Sequence, residues 1–189
     1  SVTDLAYGRI GIAVDGHVSL MDSAVSSVGG LQQGSGIESE TAIALVDSEV
    51  SGVSGRGAFG LRAPSIELVR STVEGISGTY GTVVLAGDRI SIIDSAVIEN
   101  RSGTVNDLIV GDDVSIINST IAKNSAAPSG LAQVNTVTLI RAADLEIVNS
   151  TITDNVGPQY EGRFSYGIAA EELRISNSIV LGNGTDGAF

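Results

Sequence analysis

The sequence predicts an all-β fold: a right-handed, three-sheet parallel β-helix of about seven coils of 23–31 residues, forming one domain over 1–189. Three observations carry this. The first is an eleven-residue unit written seven times, clearest as ISIIDSAVIEN from Ile90, VSIINSTIAKN from Val114, LEIVNSTITDN from Leu145 and LRISNSIVLGN from Leu173. Weaker copies stand upstream, VSLMDSAVSSV from Val18, IALVDSEVSGV from Ile43 and IELVRSTVEGI from Ile66. The second is a period of two inside each copy, the mark of a strand with one buried face. The third is a composition of 42% hydrophobic residues with only 4% aromatics, no Trp and 24 Gly. That palette suits stacked Ile, Val and Leu on pleated surfaces better than a core filled with aromatic volume.

The copies begin at residues 18, 43, 66, 90, 114, 145 and 173, so their spacings are 25, 23, 24, 24, 31 and 28. Apolar residues hold the first and third places: Val18/Leu20, Ile43/Leu45, Ile66/Leu68, Ile90/Ile92, Val114/Ile116, Leu145/Ile147 and Leu173/Ile175. A Ser always holds the sixth place and an aliphatic the eighth, from Val25 to Val180. The step from third to sixth place is odd, so alternation breaks and the chain must bend between them. A third short strand precedes each copy, at 11–14, 36–39, 60–63, 83–86, 108–110, 138–140 and 167–170. One such unit cannot bury its apolar face alone, so successive units must stack. Parallel coils lie about 4.8 Å apart, and seven would span roughly 34 Å. The variable spacing disfavours a left-handed hexapeptide helix, and the lack of helical periodicity disfavours a leucine-rich horseshoe.

Polar residues repeat in columns and so read as structural ladders. The Ser column is Ser23, Ser48, Ser71, Ser95, Ser119, Ser150 and Ser178, expected at an inward corner and bonded to backbone or to the next Ser. The eleventh place is Val28, Val53 and Ile76, then Asn100, Asn124, Asn155 and Asn183. Stacked Asn there would pass amide hydrogen bonds from coil to coil and accept a left-handed turn. The fifth place reads Asp22, Asp47, Arg70, Asp94, Asn118, Asn149, Asn177, with Arg70 between two carboxylates. The tenth place carries Glu99, Lys123 and Asp154, an alternating charge column. The fourth place is aliphatic in Met21, Val46, Val69, Ile93, Ile117 and Val148, and the bend is expected to tuck this column into the corner, because a bare stripe would aggregate.

The formal net charge is −12, with Lys123 the only Lys, which argues against a phosphate-backbone partner. No apolar run approaches the roughly 18 residues of a membrane span. With no Cys, disulfides and thiolate metal sites are excluded. Ser1 opens no signal peptide, so the chain reads as a mature product or an excised fragment. Residues 1–7 and 184–189 offer no recognisable cap, which leads us to expect a longer chain or an end-to-end filament.

Few residues carry chemistry. Acids recur after the preceding strand: Asp15, Glu38 with Glu40, Asp88, Asp112 with Asp113, Asp144, and Glu171 with Glu172. A solvated acidic edge is the preferred reading, with Asp112 and Asp113 the candidate ligands if Ca²⁺ binds. No other cofactor is expected. His17, the only His, stands in a turn beside Asp15 and reads as a surface residue. Sequons occur at Asn100, Asn118, Asn149 and Asn183, where turn chemistry is the simpler account. There is no nucleophile elbow and no phosphate loop, so no catalytic residue is assigned. The stretch GPQYEGRFSYG (157–167), expected as a long loop, gathers Tyr160, Glu161, Arg163, Phe164 and Tyr166. These form the candidate ligand site, since aromatic faces beside polar groups bind sugars or proteins.

Three stretches, GRIGIAVDGHVSLMDSAVSS, GLRAPSIELVRSTVEGISG and GTVVLAGDRISIIDSAVIENRSG, resemble the coils of filamentous-haemagglutinin-like exoproteins of two-partner secretion. The later copies, with NSTIAKN and NSTITDN, look more like repeats of bacterial surface proteins and autotransporter passengers. The resemblance covers nearly the whole chain but is a coil pattern. It implies secretion to the bacterial cell surface and a structural or adhesive role as adhesin, stalk or filament. Its partners would be other copies of the chain or flanking β-helix end to end, and glycans or proteins of a host or neighbouring cell. It transfers no catalytic residue. The alternative is a piece of a carbohydrate-active β-helix enzyme or a glycan-binding module, with substrate lying along an open sheet.

Overall fold

A computed structural model of the chain describes residues 5–6, 10–30, 33–79, 82–102, 107–126, 136–157 and 164–185. They contain strands, turns and bends and no helix, and every strand pairing among them is parallel. The chain is a β-solenoid whose repeats stack in the register read from the sequence. Val18 faces Ile43, Ile43 faces Ile66, and the column continues through Ile90, Val114 and Leu145 to Leu173.

Three sheets result, though not from the three strands expected. The seven-stranded sheet holds places seven to nine of every copy, Ala24–Ser26 through Ile179–Leu181. An eight-stranded sheet is built from two-residue strands at places twelve and thirteen, such as Arg101–Ser102, with Val28–Gly29 one place earlier and Leu5–Ala6 added at one end. Those strands are too short for alternation to reveal. The preceding strands and the first strands of the repeat belong together in one twelve-stranded sheet. They join because Thr136–Val148 and Phe164–Ser176 each run through both positions without a break. The turn region there reads Ala142-Ala143 and Ala170-Glu171, whereas three earlier coils break at Pro64, Gly87-Asp88 and Gly111-Asp112. Gly and Pro interrupt those three strands, and the second coil breaks at Glu40-Thr41 without either, where Ser39 Oγ accepts the Thr41 and Ala42 N–H groups.

The corners follow from backbone conformation. The fifth-place residues Asp22, Asp47, Arg70, Asp94, Asn118, Asn149 and Asn177 all have φ of 48–52°. The tenth-place residues Ser27, Gly52, Gly75, Glu99, Lys123, Asp154 and Gly182 have φ of 55–67°. The left-handed turn therefore falls one residue before the Asn column, not on it. Asp and Asn adopt this region more readily than other L-residues, which explains their prevalence at place five.

Each left-handed corner reverses the hydrogen-bond direction. Asp47 N–H donates forward to Val69 O of the next coil, and Glu49 N–H donates back to Ser23 O of the previous one. The Ser48 N–H between them has no main-chain carbonyl in line, and Ser71 Oγ accepts it at 3.1 Å. The same bond recurs at 3.0–3.1 Å from Ser23 to Ser178. Each Oγ in turn donates to the carbonyl two residues earlier, as Ser95 does to Ile93 O at 2.6 Å. The second corner repeats the device with Asn. Glu99 N–H runs forward to Ala122 O, Arg101 N–H runs back to Ile76 O, and Asn100 N–H donates to Asn124 Oδ1 at 3.0 Å. Asn124 Nδ2 then bonds both Val97 O at 3.0 Å and Asn155 Oδ1 at 2.8 Å. At the junction of the two classes, Ile76 N–H donates to Asn100 Oδ1 at 2.9 Å. Within strand Gly57–Arg62 the coils come close: a Cβ on Gly60 would lie 2.5 Å from Val84 O.

Inside lies an aliphatic core of first-, third- and eighth-place residues, with Leu45, Leu68, Ile92, Ile116 and Ile147 fully buried. The fourth-place column is not tucked into the corner. Val46, Val69, Ile93, Ile117 and Val148 are half-buried like their second-place neighbours Ala44, Ser91 and Ser115, and Met21 is 65% exposed. Alternation simply holds through place four, and the bend begins at the left-handed residue after it.

Two measurements probe the corners. Replacing Asn124 by Leu orphans the Asn100 N–H and Val97 O, and equilibrium denaturation should show a loss of about 2–4 kcal/mol. The same change at Asn183, which serves one neighbour only, should cost clearly less. At Asn118, φ 52°, a Val substitution should cost about 1–3 kcal/mol and a Gly substitution almost nothing.

Candidate functional site

The surface offers three places where chemistry could gather. The first is a wide, shallow concavity on the outside of the fifth-place corner, lined by Asp22, Asp47, Glu49, Arg70 and Thr72 with the Ser23 and Ser48 turns. Stacking of places five and seven across three coils creates it. Arg70 bonds Asp47 in bidentate fashion, Nε to Oδ1 and a terminal nitrogen to Oδ2, both at 2.7 Å. Of the two carboxylates expected to flank it, Arg70 therefore chooses Asp47, and Asp94 acts only through its charge. That hydrogen bond, with the guanidinium charge beside it, lowers the Asp47 pKa, and the carboxylate raises that of Arg70. A depressed carboxyl stabilises the fold above its unfolded titration range and loses that support as pH falls. Both side chains are exposed, so water screens the pair and its contribution is small. The arrangement holds a salt bridge, with the carboxylates of Asp22 and Glu49 lining the same concavity.

The second place is the acidic edge. Asp15, Glu40, Asp88, Asp112 and Asp113 are exposed. The Asp112 and Asp113 N–H groups both donate to Asp88 O, at 2.8 and 2.9 Å, so the turn is held by main chain. Cations interleave the acids. Arg89 is in register with Asp113, Arg174 bonds Glu172 at 2.6 Å, and Arg141 bonds Asp107 at 2.8–2.9 Å. Asp107, 6% exposed, is a buried carboxylate that sequence reasoning missed, because its partner lies 34 residues away. Lys123 pairs with Glu99 at 3.5 Å across exposed tenth-place positions. Among the described residues no group of three acidic or His side chains converges on a metal-sized point. His17 is exposed, in the turn as read.

The third place is the aromatic segment. Tyr160, Glu161 and Arg163 lie outside the described residues, as do the side chains of Phe164 and Tyr166. The backbone of Phe164 and Tyr166 is strand, paired with Thr136 and Thr138, so the loop expected over 157–167 ends by Phe164. Sequence reasoning also passed over Phe59, whose ring carries the Arg62 guanidinium 5.1 Å from its centroid. Of the four sequon Asn residues, Asn100 is fully buried with its amide in the ladder, while Asn118 and Asn149 are exposed at left-handed corners.

The chain matches no protein-family model, no curated protein and no solved structure. What it is rests on its own geometry, a parallel β-solenoid.

The edge can be tested directly. Thermal melts in millimolar Ca²⁺ and in chelator should coincide within about 1 °C, since a site binding Ca²⁺ in the native state alone would raise the midpoint by mass action. A calcium-dependent rise of several degrees, abolished by Asp112→Asn with Asp113→Asn, would make those two residues ligands.

Proposed function

We propose that the chain is a non-catalytic structural and adhesive segment of a bacterial surface or secreted exoprotein, acting outside the cell as stalk, filament or adhesin. One observation carries this reading: the two hydrogen-bonded columns that tie coil to coil. The Ser ladder runs unbroken from Ser23 to Ser178 and the Asn ladder from Asn100 to Asn183. The Ser and Asn side chains of these columns hold the stack together. Such an object resists bending and shear, because each inner coil is fastened to both neighbours along the sheets and at the ladder corners. Its outer faces display side chains at the coil spacing of about 4.8 Å, which suits repetitive contact with a surface. The coil sequences that resemble filamentous-haemagglutinin-like and autotransporter-passenger repeats support the same assignment.

Glycan-array binding and cell-surface adhesion, measured beside a polysaccharide-degradation assay, test it. Saturable binding to a glycan or surface protein, with no new reducing ends or unsaturated sugars, is the expected outcome. Release of oligosaccharides would replace the adhesive reading with the carbohydrate-active one.

A further inference from the structure

The outer face of the twelve-stranded sheet carries an apolar column that its own coils leave uncovered. Met21, Val46, Val69, Ile93, Ile117 and Val148 stack in register at place four of six successive coils. Met21 is exposed and the other five are half-buried. Beside them on the same face runs place two, with Ser19, Ala44, Glu67, Ser91, Ser115 and Glu146 in the same register. Most of these are Ser or Ala, so the aliphatic ridge is flanked by a shallow trough, crossed at Glu67 and Glu146.

A continuous apolar stripe open to solvent marks an interaction surface, and three features fit it to a second copy of this chain. The first is shape. Ridge and trough lie two residues apart on every coil. A twofold axis along the solenoid, between the two columns, therefore sets the ridge of each copy into the trough of the other. Both surfaces repeat at the coil spacing of about 4.8 Å, so the fit holds along the whole contact. The second is charge. Coil meets like coil in this arrangement, which brings Glu67 of each copy against Val69 and Arg70 of the other. Arg70 spends Nε and one terminal nitrogen on Asp47, which leaves its second terminal nitrogen for that carboxylate. The third is extent. Six coils across places one to five cover roughly 29 by 17 Å, or about 1,000 Å² over both copies, the lower bound of specific interfaces.

We propose that this face is the interface of a parallel homodimer, the place-four ridge of each chain seated on place two of the other. The inference goes beyond the adhesive reading and holds whether or not the stack adheres. It draws only on residues 18–148. A twofold axis along the strands fits less well, because it lays ridge on ridge and leaves both troughs empty.

Sedimentation equilibrium at about 0.5 M NaCl, where salt screens the repulsion between two chains of net −12, should show a concentration-dependent dimer. Ser91→Gln with Ser115→Gln fills the trough with long uncharged side chains at a place that already carries Glu67 and Glu146. The melting temperature should hold while the dimer weakens at least about tenfold. The chain has no Cys, so Thr72→Cys and Thr151→Cys, each outside the interface, can carry a single nitroxide label. Like coil against like coil requires the same label-to-label distance at both sites. A protein that stays monomeric at millimolar concentration, a trough variant that dimerises as well as the parent, or unequal label distances would each overturn the proposal.

Discussion

Each coil turns its backbone at left-handed corners, and supplying an acceptor for the N–H stranded there is the constraint on which both ladders depend. A parallel stack satisfies main-chain groups along each strand, but at a left-handed corner the donors switch from the next coil to the previous one. One N–H per corner then points along the axis with no carbonyl to meet it. Ser71 Oγ and its equivalents accept that hydrogen bond at the first corner, and from Ile76 onward Asn100 Oδ1 and its equivalents accept it at the second. A buried amide left unpaired costs about 1–3 kcal/mol, so seven coils could not repeat the defect and remain folded. The invariance of Ser at place six is thus an electrostatic requirement of the turn.

Packing and polarity divide the labour. Aliphatics at places one, three and eight supply a dry core, and non-directional burial would tolerate slippage between coils. A slip of one residue would turn the core face outward and pull Ser and Asn out of line at once. Register is therefore fixed twice, by hydrophobicity and by ladders. The ladder changes chemistry midway: Val28, Val53 and Ile76 fill the second corner with hydrocarbon, and Asn takes over from Asn100. The first three coils gain buried apolar area there, and the later four gain directional bonds. Orientation along the axis is consequently written into the stack, since each corner donor points to the following coil.

The same economy bears on function. Arg70 is held by Asp47, Lys123 by Glu99 and Arg141 by Asp107, so three of the ten cations on a chain of net −12 are tied into the stack. A surface organised in columns favours repetitive, multivalent contact over a single reactive point.

The sequence by itself determined the fold class, the register and the two ladders. Seven copies with Ser at place six and apolar residues at one, three and eight admit only stacking, and the pairing of Val18 with Ile43 follows from their alignment. The odd step between places three and six also marked a bend between them. The tertiary structure alone decided how the strands divide into sheets, because Val28–Gly29 and its equivalents are too short to show a period and become strands only through neighbouring coils. It moved the left-handed residue from the Asn column to the residue before it, since φ depends on hydrogen-bond direction on both sides of the corner. It also left the fourth-place aliphatics on the outer face, where sequence preference had set them inside. Asp107 and Arg141 were invisible as a pair for the same reason: they are 34 residues apart and meet only when coils stack.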